Sequence, residues 1–247
     1  MNRERLRRIR NWQSHEWYAA LVVRPIAIGV MLVIADWPWV TPNRLTTLAN
    51  VAKLAAAAAI FTGEARWLWP AALLLQLGLL LDHLDGTFAR YRKSFSDFGS
   101  YYDKTSDAFT WFLILMAAGW VETRASGGAL ALVLAAAGAH GHLLLGYMKW
   151  VQQSHMPRAS GPPADHTPPD RTPAEWVRWF FARLAQIPRF EEVDQFFWLG
   201  LALVTGKVMW FLWAAAVTQC AGAIIMFVVR GRTLMQQDRA RKERVSP

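Results

Sequence analysis

Apolar runs close to twenty residues long recur along this chain, and that recurrence restricts its fold more than any other feature. About 20 apolar residues cross the hydrocarbon of a bilayer as one helix, and a helix satisfies its own backbone polar groups there. Six such runs can be placed, near residues 46–62, 67–90, 102–122, 127–151, 191–206 and 208–230, the fifth being the shortest. With 54% hydrophobic residues and 14 Trp among 247, the chain reads as an all-α integral membrane protein with six transmembrane helices.

The positive charge gives the orientation, because cytoplasmic loops retain Lys and Arg. The connections 63–66, 122–126 and 207 hold only Arg66, Arg124 and Lys207 of 27 basic residues. Most of the rest lie in the N-terminal arm, after residue 89, in the loop 152–190 and in the tail 231–247. Both termini are therefore expected in the cytoplasm. The net charge of +9 is spread over these loops with Trp interleaved, which suits an anionic membrane surface and excludes nucleic acid as the partner.

Residues 17–37, "WYAALVVRPIAIGVMLVIADW", form a further apolar run. As a span it would export the arginines of "RERLRRIR" or invert every later loop, so an N-terminal interfacial (juxtamembrane) helix is expected. The charged first ten residues and the length of this run argue against a cleavable signal. In the loop, "HMPRASGPPADHTPPD" is a Pro-rich linker. Thr172, Pro173 and Glu175 then mark the start of an amphipathic helix. The expected organisation is a basic arm with its interfacial helix over 1–40, a six-helix domain over 41–230 and a basic cytoplasmic tail over 231–247. Cys220, the single cysteine, excludes a disulfide framework and reads as a small buried hydrophobe.

Against this apolar background the stretch "DHLDGTFARYRKSFSDFGSYYDKTSD" stands out. Carboxylates at membrane depth are costly and should face a cavity. Asp82 and Asp85 are three apart at the end of the second span, and Asp103 and Asp107 four apart at the start of the third. Each spacing puts the pair on one helix face, so two antiparallel helices can bring all four together. Hard oxygen ligands suit Mg²⁺ or Mn²⁺, and two such ions could clamp a pyrophosphate. Gly86, Gly99 and Ala89 keep the walls thin, Arg90 suits a phosphate oxygen, and Ser96 could add a hydroxyl donor.

Asp82-x2-Asp85-Gly86-x2-Ala89-Arg90-x8-Gly99-x3-Asp103-x3-Asp107 resembles, at every position, the signature of the CDP-alcohol phosphatidyltransferases. The resemblance covers roughly residues 40–230. It implies transfer of a substituted phosphate from a CDP-linked donor, usually CDP-diacylglycerol, to a small polar alcohol, with release of CMP. It further implies that the four aspartates bind the metals, that Asp107 acts as general base, and that Gly86, Arg90 and Ser96 hold the CDP moiety. "TPNRLT" resembles the family's Pro-Asn-x-x-Thr segment and adds Asn43 and Thr46 to the nucleotide contacts. Where some glycerol phosphate transferases carry an Arg after that Thr, this chain offers Asn50 and Lys53. The resemblance also implies a homodimer and a cytoplasmic active site, in a bacterial inner membrane.

Lys149, Arg189 and Arg230 have two readings, as contacts to a charged acceptor or as charges that set orientation at span ends. His140, His142 and His83 read as polar packing groups, and Glu191 and Asp194 as charges at a helix start. Two other functions share these features. A divalent-cation transporter could use the intramembrane aspartates, but "WLWPAALLLQ" and "FLILMAAGWV" leave the outer halves of spans two and three almost without polar groups. A family member acting on a different CDP-alcohol donor is the other.

Overall fold

The computed structural model describes residues 3–10, 14, 16–155 and 172–245, without the side chains of Arg189 and of 240–245. All regular structure in them is helical, as the periodicity predicts. In chain order the α-helices are α1 (Arg3–Arg10), α2 (Arg24–Ile34), α3 (Pro42–Phe61), α4 (Ala65–Arg92), α5 (Asp97–Ser126), α6 (Leu130–Ser154), α7 (Pro173–Leu184), α8 (Glu192–Thr205) and α9 (Val208–Val245). Most of the Pro-rich linker lies outside the described residues.

Four helices are long and apolar enough to cross a membrane: α3, α4, α6 and α9. The other two expected spans exist as helices with a different character. α5 is 30 residues long but carries Asp97, Asp103, Lys104, Asp107, Glu122 and Arg124. α8 has 14 residues, about 21 Å at 1.5 Å per residue, which is shorter than the hydrocarbon.

The run 17–37 is helical but not uniform. A π-helical turn, Ala19–Val23, leads straight into α2, whose second residue is Pro25. Proline cannot donate to the preceding turn and its ring crowds the carbonyl four residues back, so the wider turn absorbs it. A clasp of polar groups fastens this part of the chain to the end of α4. Arg5 pairs with Asp36 at 2.8 Å, and the Tyr91 hydroxyl donates to the same carboxylate at 2.8 Å. Arg8 donates to the Tyr91 carbonyl, and Arg92 to the carbonyls of Ala35, Trp37 and Val40. α7 starts with the expected capping box of Thr172 and Glu175 and buries none of its residues, leaving Trp176, Val177, Phe180 and Phe181 exposed.

Small residues set the helix spacing, as is usual where lipid supplies no hydrophobic drive between helices. A Cβ on Gly119 of α5 would meet Ala135 of α6 at 2.7 Å, and one on Gly141 of α6 would meet the α9 backbone at Gln219 and Cys220 within 2.9 Å. Cys220 itself is half-buried, its sulfur 3.5 Å from the Ala137 carbonyl, so it is less enclosed than its composition suggested. The main core lies where α3, α4, α5, α6, α8 and α9 meet, around Ile60, Leu75, Ile114, Leu115, Leu199 and Leu212. α9 runs 38 residues, about 57 Å, so the helix continues beyond the apolar run through residues 231–245.

Candidate active site

Three helices converge where the sequence places its acids. α4 ends on Lys93, whose left-handed backbone (φ 54°) turns the chain sharply, and Ser96 starts α5 by accepting from the Gly99 amide at 2.9 Å. That short turn links α4 to α5, and both helices pack against α3, which brings their carboxylates toward one another. Carboxylate oxygens of Asp82, Asp85 and Asp103 lie within 4.8 Å of one another. The donor set is all oxygen and anionic, the chemistry Mg²⁺ or Mn²⁺ requires, so these three residues fit a divalent ion.

α3 supplies the third wall. Thr46, Asn50 and Lys53 fall at i, i+4 and i+7, on one helix face, and all three are buried. The Thr46 hydroxyl makes a short hydrogen bond to Asp85 Oδ2. Asn50 donates to Ser106 at 2.8 Å, tying α3 to α5. Lys53 Nζ lies 2.8 Å from Asp82 Oδ1 and 2.6 Å from Asp107 Oδ1. The fourth aspartate thus stands outside the cluster of three and joins it through an ammonium.

The remaining expected residues are placed as follows. Gly86 lies against the Arg90 guanidinium, where an added Cβ would meet Nη1 at 3.3 Å, and Arg90 donates to Thr87. Gly99 sits under Asn43, whose Oδ1 is 3.2 Å from where a Cβ would be. Asn43 is exposed and Ala89 half-buried. Ser96 is occupied as a helix cap and Thr46 as a partner of Asp85, so both orient the site through bonds within the protein. His83 Nδ1 donates to the Leu79 carbonyl and His142 stands 3.5 Å from Glu192; His140 is exposed.

A cavity of about 530 Å³ opens from Asp107. Lys149 and Arg230 line it, as does Lys104, and Glu16, Glu191 and Glu192 face it from other segments. Arg230 also donates to the Leu145 carbonyl at 3.3 Å. The Arg189 side chain lies outside the described residues. A smaller cavity of about 190 Å³ reaches Lys53, Asp82 and Asp107 from the side of Phe196.

Lys53, Lys104 and Glu16 were not singled out as site residues from the sequence. For Lys53 a signal existed: it is a lone cation in an alanine-rich helix, on the face of Thr46. Glu16 has no such signal, since it reaches the cavity from far upstream. Burial, reinforced by the carboxylates of Glu192, Asp194 and Glu191, pushes the Glu16 carboxyl up to about 8. Because its folded value is raised, the stability it contributes is full below its ordinary value and is lost as the pH rises through about 8. The melting temperature should therefore fall as the pH rises from the ordinary carboxyl range to about 8, and Glu16→Gln should flatten that fall. An unchanged slope in the variant would contradict the buried position of this carboxyl.

Three comparisons with known proteins bear on this geometry. Residues 39–220 match the sequence profile of CDP-alcohol phosphatidyltransferase. No curated protein matches the chain. Among solved structures, the phosphatidylinositol phosphate synthase of Mycobacterium tuberculosis, crystallised with CDP-DAG bound, superposes with a TM-score of 0.48 at 20% identity, over 82% of this chain and 92% of that one. The profile runs from just before α3 through the first third of α9, so it takes in all three helices that build the acidic cluster. On that match the chain belongs to the CDP-alcohol phosphatidyltransferase family.

Proposed function

We propose that this protein transfers a phosphatidyl group from CDP-diacylglycerol to a small polar alcohol, releasing CMP, as a step of phospholipid synthesis. The phosphotransferase class follows from the family; the donor, the acceptor and the residue roles are the proposal. The observation that carries it is that Asp107 lines the 530 Å³ cavity and shares the Lys53 ammonium with Asp82 of the cluster of three.

The acceptor hydroxyl enters from that cavity, gives its proton to the Asp107 carboxylate and attacks the phosphatidyl phosphorus. The bond from that phosphorus to the bridging oxygen breaks, and CMP leaves with the oxygen and the bond pair. A positioned carboxylate suits this task because an alcohol is a poor nucleophile until its proton departs. Asp82, Asp85 and Asp103 would hold Mg²⁺ or Mn²⁺, and Asp107 would join them if two ions bind. Such an ion neutralises charge on the pyrophosphate and on the leaving phosphate. Arg90 meets a phosphate oxygen of the donor, Gly86, Ala89 and Gly99 let the nucleotide approach, and Asn43 contacts it from the start of α3. Thr46 and Ser96 support these contacts by holding Asp85 and the α5 N-terminus.

A lipid-borne donor fits the surroundings, since Phe95, Phe98 and Tyr101 are exposed beside the turn between α4 and α5, and Val51 and Leu54 on α3. The helices α3, α4, α5, α6, α8 and α9 form six spans, with 1–40 lying in the cytoplasmic interface and the active site facing the cytoplasm. Lys149, Arg189 and Arg230 meet charged oxygens of the acceptor, while Glu16 and Glu192 receive its hydroxyl or ammonium groups. The protein acts as a homodimer in the membrane.

The test is CMP release by purified protein in detergent with CDP-diacylglycerol, Mg²⁺ or Mn²⁺, and a panel of glycerol phosphate, inositol phosphate, inositol and serine. CMP should appear with one acceptor well above the others. No CMP with any acceptor, or release with a CDP-alcohol other than CDP-diacylglycerol alone, would overturn the proposed donor and acceptor pair.

A further inference from the structure

Lys53 is built into the site more firmly than a surface cation borrowed by two acids. Its side chain is 3% exposed, and only the cavity of about 190 Å³ beside Phe196 reaches it among the cavities described above. Its stem runs through a notch that exists because residue 78 is glycine: a Cβ there would meet Lys53 Cγ at 2.8 Å. The Phe196 ring of α8 covers the ammonium from the other side, with its centroid 5.6 Å from Nζ. Three helices therefore fix one positive charge between Asp82 and Asp107.

That position has a consequence for the metal count. Asp82 is the one carboxylate that belongs both to the cluster of three and to the lysine pair. An ion held by Asp82, Asp85 and Asp103 uses oxygens that face one another across the cluster. A second ion would have to bridge Asp82 and Asp107, where the ammonium already makes contacts of 2.8 and 2.6 Å. A divalent ion and an ammonium in the same buried gap repel strongly, because little solvent screens them. Oxygens committed to an ammonium are also unavailable as ligands for a small ion that demands close coordination.

We infer that the Lys53 ammonium takes the place of a second cation, so that this protein binds one divalent ion per chain, at Asp82, Asp85 and Asp103. The inference rests on the proposed metal site and narrows it. Lys53 acts as a positioning residue: it ties Asp107, the proposed base, to the metal-bearing helix α4 by charge and by a hydrogen bond to each aspartate.

The test counts ions. Protein in detergent is stripped with EDTA, reloaded with excess Mn²⁺ in the presence of saturating CMP, freed of unbound ion, and analysed by elemental mass spectrometry and electron paramagnetic resonance. Wild type should hold one Mn²⁺ per chain with the spectrum of an isolated ion. Lys53→Met should hold two, with the broadened spectrum of a coupled pair. Lys53→Gln is the second variant, able to keep neutral hydrogen bonds to both aspartates if the methionine protein does not elute as a folded species. Two ions in wild type, or one ion in both variants, would overturn the inference. No bound ion in any form would overturn the metal site on which it rests, a result distinct from the other two.

Discussion

Asp107→Asn is expected to lower the rate of CMP release by about 10²- to 10⁴-fold, the range typical for loss of a positioned general base. The amide keeps the shape of the carboxylate and still offers an oxygen to Lys53, so the fold should survive. The Asp82, Asp85 and Asp103 cluster does not contain residue 107, so Mn²⁺ binding should survive as well. The diagnostic is the split: single-turnover CMP release falls while the apparent affinity for CDP-diacylglycerol changes little. Retention of full activity would remove Asp107 from the chemistry.

Asp82→Ala should be as damaging to activity for a different reason, and should also be felt in stability. Asp82 contributes an oxygen to the cluster of three and accepts from Lys53 at 2.8 Å. Its removal takes one ligand from the ion and leaves a buried ammonium with one carboxylate instead of two. Losing a charged partner of a buried group costs about 1–3 kcal/mol, and the remaining pairing with Asp107 argues for the lower half of that range. Lys53→Met in the same chain should return much of the lost stability, because the stranded charge is gone, and none of the activity. Thermal unfolding and CMP release on the two single variants and the double variant form the cycle. Equal melting temperatures in Asp82→Ala and the double variant would contradict the buried pairing.

Most of the helical scaffold was legible because hydrocarbon thickness and helix rise together fix a run length that few other folds produce. The boundaries were less so. α5 begins at Asp97 and not near 102, because a serine cap and a polar first turn are invisible to a search for apolar residues. α9 continues to Val245 for the same reason in reverse, since a helix leaving the bilayer needs no apolar face. The acidic signature was legible because its members sit three or four apart on two adjacent helices, where sequence spacing reports spatial face directly. The π-helical turn before Pro25 was hidden, as it is a local answer to a steric conflict that composition does not record.

Lys53 marks the limit of such reading within the site. Its two partners lie 29 and 54 residues away, and only helix packing brings them to it. The same holds for Glu16, which reaches the cavity from before α2, and for Asp194, whose Oδ1 accepts from the Tyr18 amide across 176 residues. Charges paired over such distances look unpaired in a sequence, so they are easily taken for orientation signals.

The turn from Lys93 to Ser96 bears on how the protein is made. Although it joins the two acid-bearing helices directly, they scarcely touch each other, and both pack against α3. The oxygens of Asp82, Asp85 and Asp103 therefore depend on α3 as well as on the turn, through Thr46 at Asp85 and Lys53 at Asp82. α3 precedes both helices in the chain, so during synthesis it can already be in the bilayer when the acids arrive. The turn shortens the search, and α3 is the template on which the ion pocket and the proposed base are both set.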